Sequence, residues 1–316
     1  MRVVVTGAAG FIGSRLAHAL LDDGCAVVGI DRAGGARPVA ARLTESWRGL
    51  CERPAFVGSG ADLGDPSVDL APLLRGADGV IHLAGRPGTH ESWAEYPAYL
   101  HDNVAATARL AEACVAAGVP RLVHASSSSV YGRVADGRDG PLQPVSPYGA
   151  SKLAAESTLH AFAQARGLPV VILRLFSVYG PGQRPDMGVH AAIAAALSGT
   201  PFRLHGDGEQ TRAMTFVDDV VDGLRLAMAK GRDGASYDLG GTSAVSLLEV
   251  LDEIRRIVGT AVPIVQVADP PGNQRHTRAD LVSGNLELGY APKVGIAEGL
   301  RRQVEWQRVE CRRATP

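Results

Sequence analysis

Over the first 175 residues, short runs of β-branched and aliphatic residues alternate with Ala-rich stretches of helical period. The runs Arg2–Thr6, Ala26–Asp31, Gly79–Leu83, Arg121–Ser126 and Val170–Arg174 lack strict in-out alternation, which predicts strands covered on both faces. Between them the spacing predicts helices over Gly13–Asp22, Ala105–Ala117 and Pro147–Arg166. Such alternation, with right-handed crossovers, gives an α/β fold built on a doubly wound parallel sheet. Arg32–Gly60 has no clear period and reads as loops with one short helix. After about Phe176 the chain turns to Pro/Gly punctuation and short helices, as at Gly180-Pro181-Gly182 and Asp269-Pro270-Pro271-Gly272. The expected organisation is a first domain over residues 1–175 and a smaller C-terminal lobe over 176–316. Part of the latter, about 206–234, is expected to return to the first domain.

Composition narrows the classes. A chain of 316 residues can bury one large core or two packed ones. With 32 Lys and Arg against 33 Asp and Glu, nothing calls for a nucleic-acid or membrane-surface partner. No apolar run is long enough to span a bilayer. Met1–Gly7 enters a Gly-rich turn after one short apolar stretch, so it reads as a first strand and not a signal peptide. Cys25, Cys51, Cys114 and Cys311 are scattered without Cys-x-x-Cys spacing, which implies neither a disulfide framework nor a metal site. A cytoplasmic location follows as the expectation.

Thr6-Gly7-Ala8-Ala9-Gly10-Phe11-Ile12-Gly13 sets three glycines at three-residue intervals between the first strand and the first helix. A helix N-terminus there offers free N–H groups and a positive dipole end to a pyrophosphate, and glycine removes the Cβ that would block it. Gly7, Gly10, Phe11, Ile12 and Gly13 are thus candidate dinucleotide-binding residues. At the end of the second strand stands Asp31, whose carboxylate suits adenosine ribose hydroxyls and repels a 2′-phosphate. That favours NAD over NADP, and the neighbouring Arg32 pulls the other way.

Tyr148-Gly149-Ala150-Ser151-Lys152 opens a helix just after Pro147, and residues four apart share a helix face. An ammonium beside a phenol lowers its pKa towards working pH, so Tyr148 and Lys152 form a candidate general-base pair. Upstream, Ser126-Ser127-Ser128-Ser129-Val130-Tyr131-Gly132 ends a predicted strand, where ligands of open α/β sheets bind.

Taken with His82-Leu83-Ala84-Gly85, these motifs resemble the extended short-chain dehydrogenase/reductases that epimerise or dehydrate nucleotide sugars, a Rossmann-type family. The resemblance continues through Leu173–Pro181, Gly206–Arg212 and Phe216–Asp219 and covers nearly the whole chain. It implies NAD as cofactor, Tyr148 as base, Lys152 on the nicotinamide ribose and Ser127 on the reacting hydroxyl. It implies cofactor contacts at Asp62, Leu63, Leu83, Ala84, Gly85 and Asn103, a substrate site in the C-terminal lobe, and a homodimer. The dimer would form through the helices near Pro97–Ala117 and Pro147–Arg166, where Ala105, Ala106, Ala108 and Ala111 permit close approach. The same alanines fit burial against the chain's own sheet nearly as well.

Dehydratases of this family place an acid after the catalytic Ser or Thr; here Ser128 and Ser129 follow Ser127, which points to a 4-epimerase. Arg184 and Arg212 are candidate clamps for a diphosphate. The segments His82–Trp93, with Pro87, Gly88, Ser92 and Trp93, and Arg184–His190, with Met187, resemble bacterial UDP-glucuronate 4-epimerases. Ser127, Ser128 and Ser177 could surround a C6 carboxylate without a fixed cation, and Arg275 joins the implied substrate residues. His90, where that branch has arginine, and Asn273, where the family places aspartate, are departures. The general UDP-glucose 4-epimerase stays open as the alternative. A non-catalytic NAD-binding module is a further class, which intact Ser127, Tyr148 and Lys152 disfavour.

Overall fold

The computed structural model describes residues 1–32, 41–135 and 141–314. Seven strands form a wholly parallel sheet: β1 (Arg2–Thr6), β2 (Ala26–Ile30), β3 (Phe56–Ser59), β4 (Gly79–His82), β5 (Leu122–Ser127), β6 (Val170–Leu175) and β7 (Ser236–Leu239). Their order is β7-β6-β5-β4-β1-β2-β3, so the chain winds outward both ways from β1. That reversal makes the carboxyl ends of β1 and β4 the switch point where a crevice opens. The expected doubly wound sheet is present.

Helices cover both faces. On one, α1 (Phe11–Asp22) and α6 (Val217–Lys230) pack Leu16, Leu20, Val220 and Leu224 against Val3, Val5, Val123 and Leu173. On the other, α3 (Ala106–Ala117) and α4 (Pro147–Arg166) pack Leu110, Cys114 and Leu159 against Val4, Val80, Leu122 and Ile172. Ala106 and Ala111 belong to that core, whereas Ala105 is exposed and Ala108 half-buried. Ala106 and Ala111 therefore serve burial against the chain's own sheet.

One stretch departs from expectation. Residues 33–40 of Arg32–Gly60 lie outside the described residues, but the remainder holds an 11-residue helix, α2 (Ala41–Cys51), and strand β3. The strand is an edge with Val57 exposed, so no apolar run announces it. It is seated by glycines: a Cβ on Gly29 would fall 2.3 Å from the Phe56 ring, and one on Gly58 2.5 Å from Trp47.

Past β6 the chain builds a second core from Tyr179, Ile193, Phe202, Phe216, Leu251, Ile254 and Leu300. It comprises α5 (Gly188–Ser198), α7 (Leu247–Val258) and α8 (Ile296–Ala314). Residues Val217 to Leu239 leave it to supply α6 and β7 to the large sheet. In exchange, Val134–Ala135 joins a small sheet with His276–Thr277, Thr211–Ala213 and Ala244–Ser246. Among the described residues no helix is long and apolar enough to cross a membrane, and no cluster of metal-ligating side chains occurs.

Candidate active site

A cleft of about 1240 Å³ runs along the carboxyl ends of the strands and on between the two cores. Its dinucleotide end begins at the turn after β1. Gly7 has φ +70°, and a Cβ there would meet the Leu83–Ala84 backbone at 2.8–3.0 Å; one on Gly13 would lie 2.0 Å from the Gly7 carbonyl oxygen. Gly10 is the extended N-cap of α1 and has no side chain to satisfy the first helical N–H groups, which leaves them for an anion. Asp31 accepts the Ala9 N–H at 3.0 Å. Phe11, Ile12, Arg32, Asp62, Leu63, Leu83, Ala84 and Gly85 line the same end.

Behind this wall lies a buried hydrogen-bond chain with a single consistent assignment of protons. Thr107 Oγ1 donates to the Asn103 carbonyl at 2.6 Å, so it accepts from His82 Nε2 at 2.9 Å. His82 Nδ1 then accepts from Thr6 Oγ1 at 2.7 Å, and that oxygen accepts the Leu83 and Ala84 N–H groups. Burial, and after it the Lys152 charge, push the His82 pKa down to about 3, which keeps the ring neutral. Asn103 does not line the cleft. Its amide accepts Arg86 N–H at 2.6 Å and donates to Arg86 O and to Ser151 Oγ, which fixes the chain just past Gly85.

Helix α4 starts at Ser146, whose hydroxyl accepts Gly149 N–H at 3.1 Å, followed by Pro147 at the first turn. This start sets Tyr148 and Lys152 facing β5. Lys152 Nζ is buried and donates to the Ala125 carbonyl at 2.6 Å. Burial lowers its pKa to about 8, against the opposing charge of Glu156. Tyr148 departs from the expectation that Lys152 lowers its pKa: burial pushes the phenol up, and a Ser127 hydrogen bond and the Arg184 charge pull it back. Ser127 Oγ accepts Ser129 N–H at 3.1 Å, so its own proton is free for Tyr148.

Ser127, Ser128, Tyr148, Lys152, Pro87, Gly88, Ser177, Arg184, Met187 and Arg212 meet in the cleft. Ser177 is the one non-glycine residue with positive φ (28°) among those described. Arg184 forms a bidentate ion pair with Asp186. Arg212 donates to the Gln274 carbonyl at 2.7 Å and the Thr211 carbonyl at 2.9 Å, and faces Asn273 Oδ1. Asn273 in turn donates to Asp269 at 2.7 Å, a bridge that an aspartate could not make.

Two expected substrate residues are not brought to the cleft wall. Arg275 pairs with Asp207 at 2.7 and 2.9 Å, outside the lining. His190 turns its ring to the Gln183 carbonyl and to Trp306, while neighbouring Val189 and Ala191 line the cleft. Others were missed. Gln274 donates to the Ser128 and Gly132 carbonyls and ties the lobe to the Ser-rich loop. Buried Glu156 accepts from Ser126 and, at 3.1 and 2.8 Å, from Arg174; Arg174 also reaches Tyr131, which donates to Asp238. Glu156 lies one turn beyond Lys152, the only signal its position gave.

A doubly wound sheet with a glycine cradle at its switch point and a Tyr-x-x-x-Lys helix beside it defines a dinucleotide-dependent enzyme of the short-chain type. Residues 3–240 match the NAD dependent epimerase/dehydratase family, and the chain belongs to that family. It is 37% identical over 311 residues to the uncharacterized UDP-glucose epimerase YtcB of Bacillus subtilis (strain 168), covering 97% of this chain and 98% of that one. The UDP-glucuronic acid 4-epimerase of Bacillus cereus, solved in complex with UDP-glucuronic acid and NAD, matches with TM-score 0.93 and 36% identity over 98% of this chain and 100% of that one. MoeE5, solved with UDP-glucuronic acid and NAD, matches with TM-score 0.88 and 43% identity at the same coverage. The chain is an NAD-dependent enzyme of the nucleotide-sugar epimerase class.

Proposed function

We propose that this chain inverts C4 of a UDP-sugar, converting UDP-glucuronate to UDP-galacturonate, with Tyr148 as the base. The observation that carries this reading is the wall around Tyr148. Ser127, Ser128, Ser129 and Ser177 line it, and no carboxylate stands at the two positions after Ser127. A dehydratase needs an acid there to move protons at C5 and C6; a 4-epimerase does not.

The cradle fits NAD, since Gly7, Gly10 and Gly13 keep Cβ atoms out of the turn and the Asp31 carboxylate lines the same end of the cleft. When bound, NAD would supply the hydride acceptor for C4 of the sugar and, once reduced, the hydride donor for its opposite face. The residues do the rest. Gly7, Gly10, Phe11, Ile12 and Gly13 would hold the pyrophosphate, Asp31 the adenosine ribose, and Asp62 and Leu63 the adenine. Leu83, Ala84 and Gly85 form the floor. Lys152, with one proton committed to Ala125, offers its others to the nicotinamide ribose. Tyr148 takes the C4 hydroxyl proton, and Ser127 stabilises the tyrosinate by donating to it.

The sugar must turn over while its diphosphate stays anchored. Arg212, held by backbone carbonyls, suits the anchor. Around the sugar the hydroxyls of Ser128 and Ser177 donate to a carboxylate without a lone cation that would pin it, because Asp186 balances the Arg184 charge. The same reading takes the chain as a cytoplasmic homodimer that pairs through α3 and α4.

The test compares kcat/KM for UDP-glucuronate and UDP-glucose in the wild type and in Ser177→Ala. A charge-assisted hydrogen bond contributes on the order of 1.5–3 kcal/mol, so the variant should lose about tenfold to a hundredfold of its preference for the acid. Wild-type preference for UDP-glucose would replace this reading with UDP-glucose 4-epimerisation. YtcB is named for that sugar, and MoeE5 was also solved with it.

A further inference from the structure

Between α3 and the short helix Tyr96–Tyr99, residues Leu100–Ala105 form a π-turn. It turns two successive polar side chains, Asp102 and Asn103, into the protein, and both are buried. Asn103 is accounted for by its bonds to Arg86 and Ser151. Asp102 lines the cleft and joins three groups. It accepts Arg86 Nε at 3.1 Å, bonds His101 Nδ1 at 3.0 Å, and faces Arg32 with nitrogens 3.5 and 3.4 Å from its two oxygens. Burial pushes its pKa up, but the His101 bond and the Arg32 and Arg86 charges hold it below the usual carboxylate range. It is therefore ionised at neutral pH.

Arg32 directly follows Asp31 at the end of β2, and both line the dinucleotide end with Asp62 and Leu63. An arginine near the strand-end acid is the group that accommodates a 2′-phosphate on this fold, because a guanidinium fork matches phosphate oxygens. In this chain the fork is turned onto Asp102, 70 residues away in sequence. Arg86, paired with Glu95 at 2.8 Å, holds the carboxylate from its other side.

We propose that Asp102 sets the preference for NAD over NADP by holding the Arg32 guanidinium off the adenosine ribose. Two carboxylates then disfavour a 2′-phosphate. Asp31 repels it, and Asp102 occupies the cation that would otherwise pair with it. Asp102 is a specificity-determining residue that acts through Arg32 and touches no reacting atom.

The experiment measures Kd for NAD and for NADP by calorimetry in the wild type, Asp102→Asn, Arg32→Gln and the double variant. Asp102→Asn should tighten NADP about tenfold, the gain of one charge-assisted bond, while NAD changes by less than about threefold. The double variant should return NADP to the wild-type value, because the gain runs through Arg32. Unchanged NADP affinity in folded Asp102→Asn, or a gain that survives without Arg32, would overturn the proposal. Arg32→Gln alone, at an exposed side chain, tests it independently of whether Asp102→Asn folds. It should leave NADP binding as in the wild type, and a several-fold loss would mean that Arg32 already reaches the phosphate.

Discussion

The Lys152 ammonium is anchored to the carbonyl oxygen of Ala125, 2.6 Å away, and not to the tyrosine one helical turn before it. The sheet thus holds the cation in place below Tyr148, and Ser127 supplies the direct contact to the phenol. Positioning of the cation and the contact to the phenol thus both come from the carboxyl end of β5, facing one helix.

That anchoring has a stability cost with a definite sign. Lys152 titrates at about 8 when folded and 10.5 when not. Between these values the unfolded chain binds more protons, so the group's contribution to stability rises with pH; below about 8 the full cost of burying the charge is present. Lys152→Met should therefore abolish turnover yet raise stability at pH 7 by on the order of 1–3 kcal/mol, with the gap closing near pH 10.5. Denaturant melts at the two pH values check this, and a less stable variant at pH 7 would refute it.

Tyr148→Phe removes the proposed proton acceptor and leaves the packing of α4 unchanged. Turnover should fall at least about a hundredfold, with the circular dichroism spectrum and NAD affinity preserved. In the wild type, deuterium placed at C4 of the sugar should remain at C4 in the product. Loss of the label to solvent would contradict return of the same hydride.

The cradle glycines should separate into two kinds. A Cβ on Gly13 would sit 2.0 Å from the Gly7 carbonyl, so Gly13→Ala must displace the turn and lower the melting temperature. At Gly10 the added Cβ would lie 3.1 Å from the Gly7 carbonyl oxygen, tight but far milder than at Gly13, so Gly10→Ala should lower the melting temperature less while still weakening NAD binding in the cleft. Paired thermal melts and NAD titrations distinguish them.

Glu156 and Arg174 form a buried pair that also holds Ser126, the residue before Ser127. Glu156→Ala leaves Arg174 without its counter-charge in the interior and should cost about 3–5 kcal/mol. A denaturation series measures it, and a loss below about 1 kcal/mol would show that Tyr131 and water suffice for the guanidinium.

What could be read from the chain in advance follows from how local its cause is. Strands β1, β2, β4 and β6 are buried along most of their length and carry continuous apolar runs, β5 opens on Leu122-Val123 before its buried His and Ser residues, and the turn and helix motifs are contiguous in sequence. Strand β3 has one exposed face and depends on glycines in β2 and on Trp47 to seat it. Strand β7, Ser-Tyr-Asp-Leu, carries a buried aspartate whose partners, Tyr131 and the Asp280 N–H, lie 107 residues earlier and 42 later. At the site, residues within a motif fall where their spacing puts them. Arg275 and Arg32 do not act alone, because Asp207 and Asp102 claim their side chains over 68 and 70 residues. Spacing along a chain carries no record of such partners.

The late return of β7 also governs how the protein is made. Strand β6 presents Val170, Val171, Ile172 and Leu173 with one backbone edge uncovered until Ser236–Leu239 arrives. On the ribosome the sheet cannot be completed until residue 239 of 316 has been made, about three quarters of the way along the chain. During that interval the nascent chain carries an unpaired apolar edge, the surface on which chaperones act and aggregates nucleate. A fragment ending near residue 175 would keep that edge for good. The whole cofactor cradle would be present in it, and it should still be recovered mainly as insoluble protein.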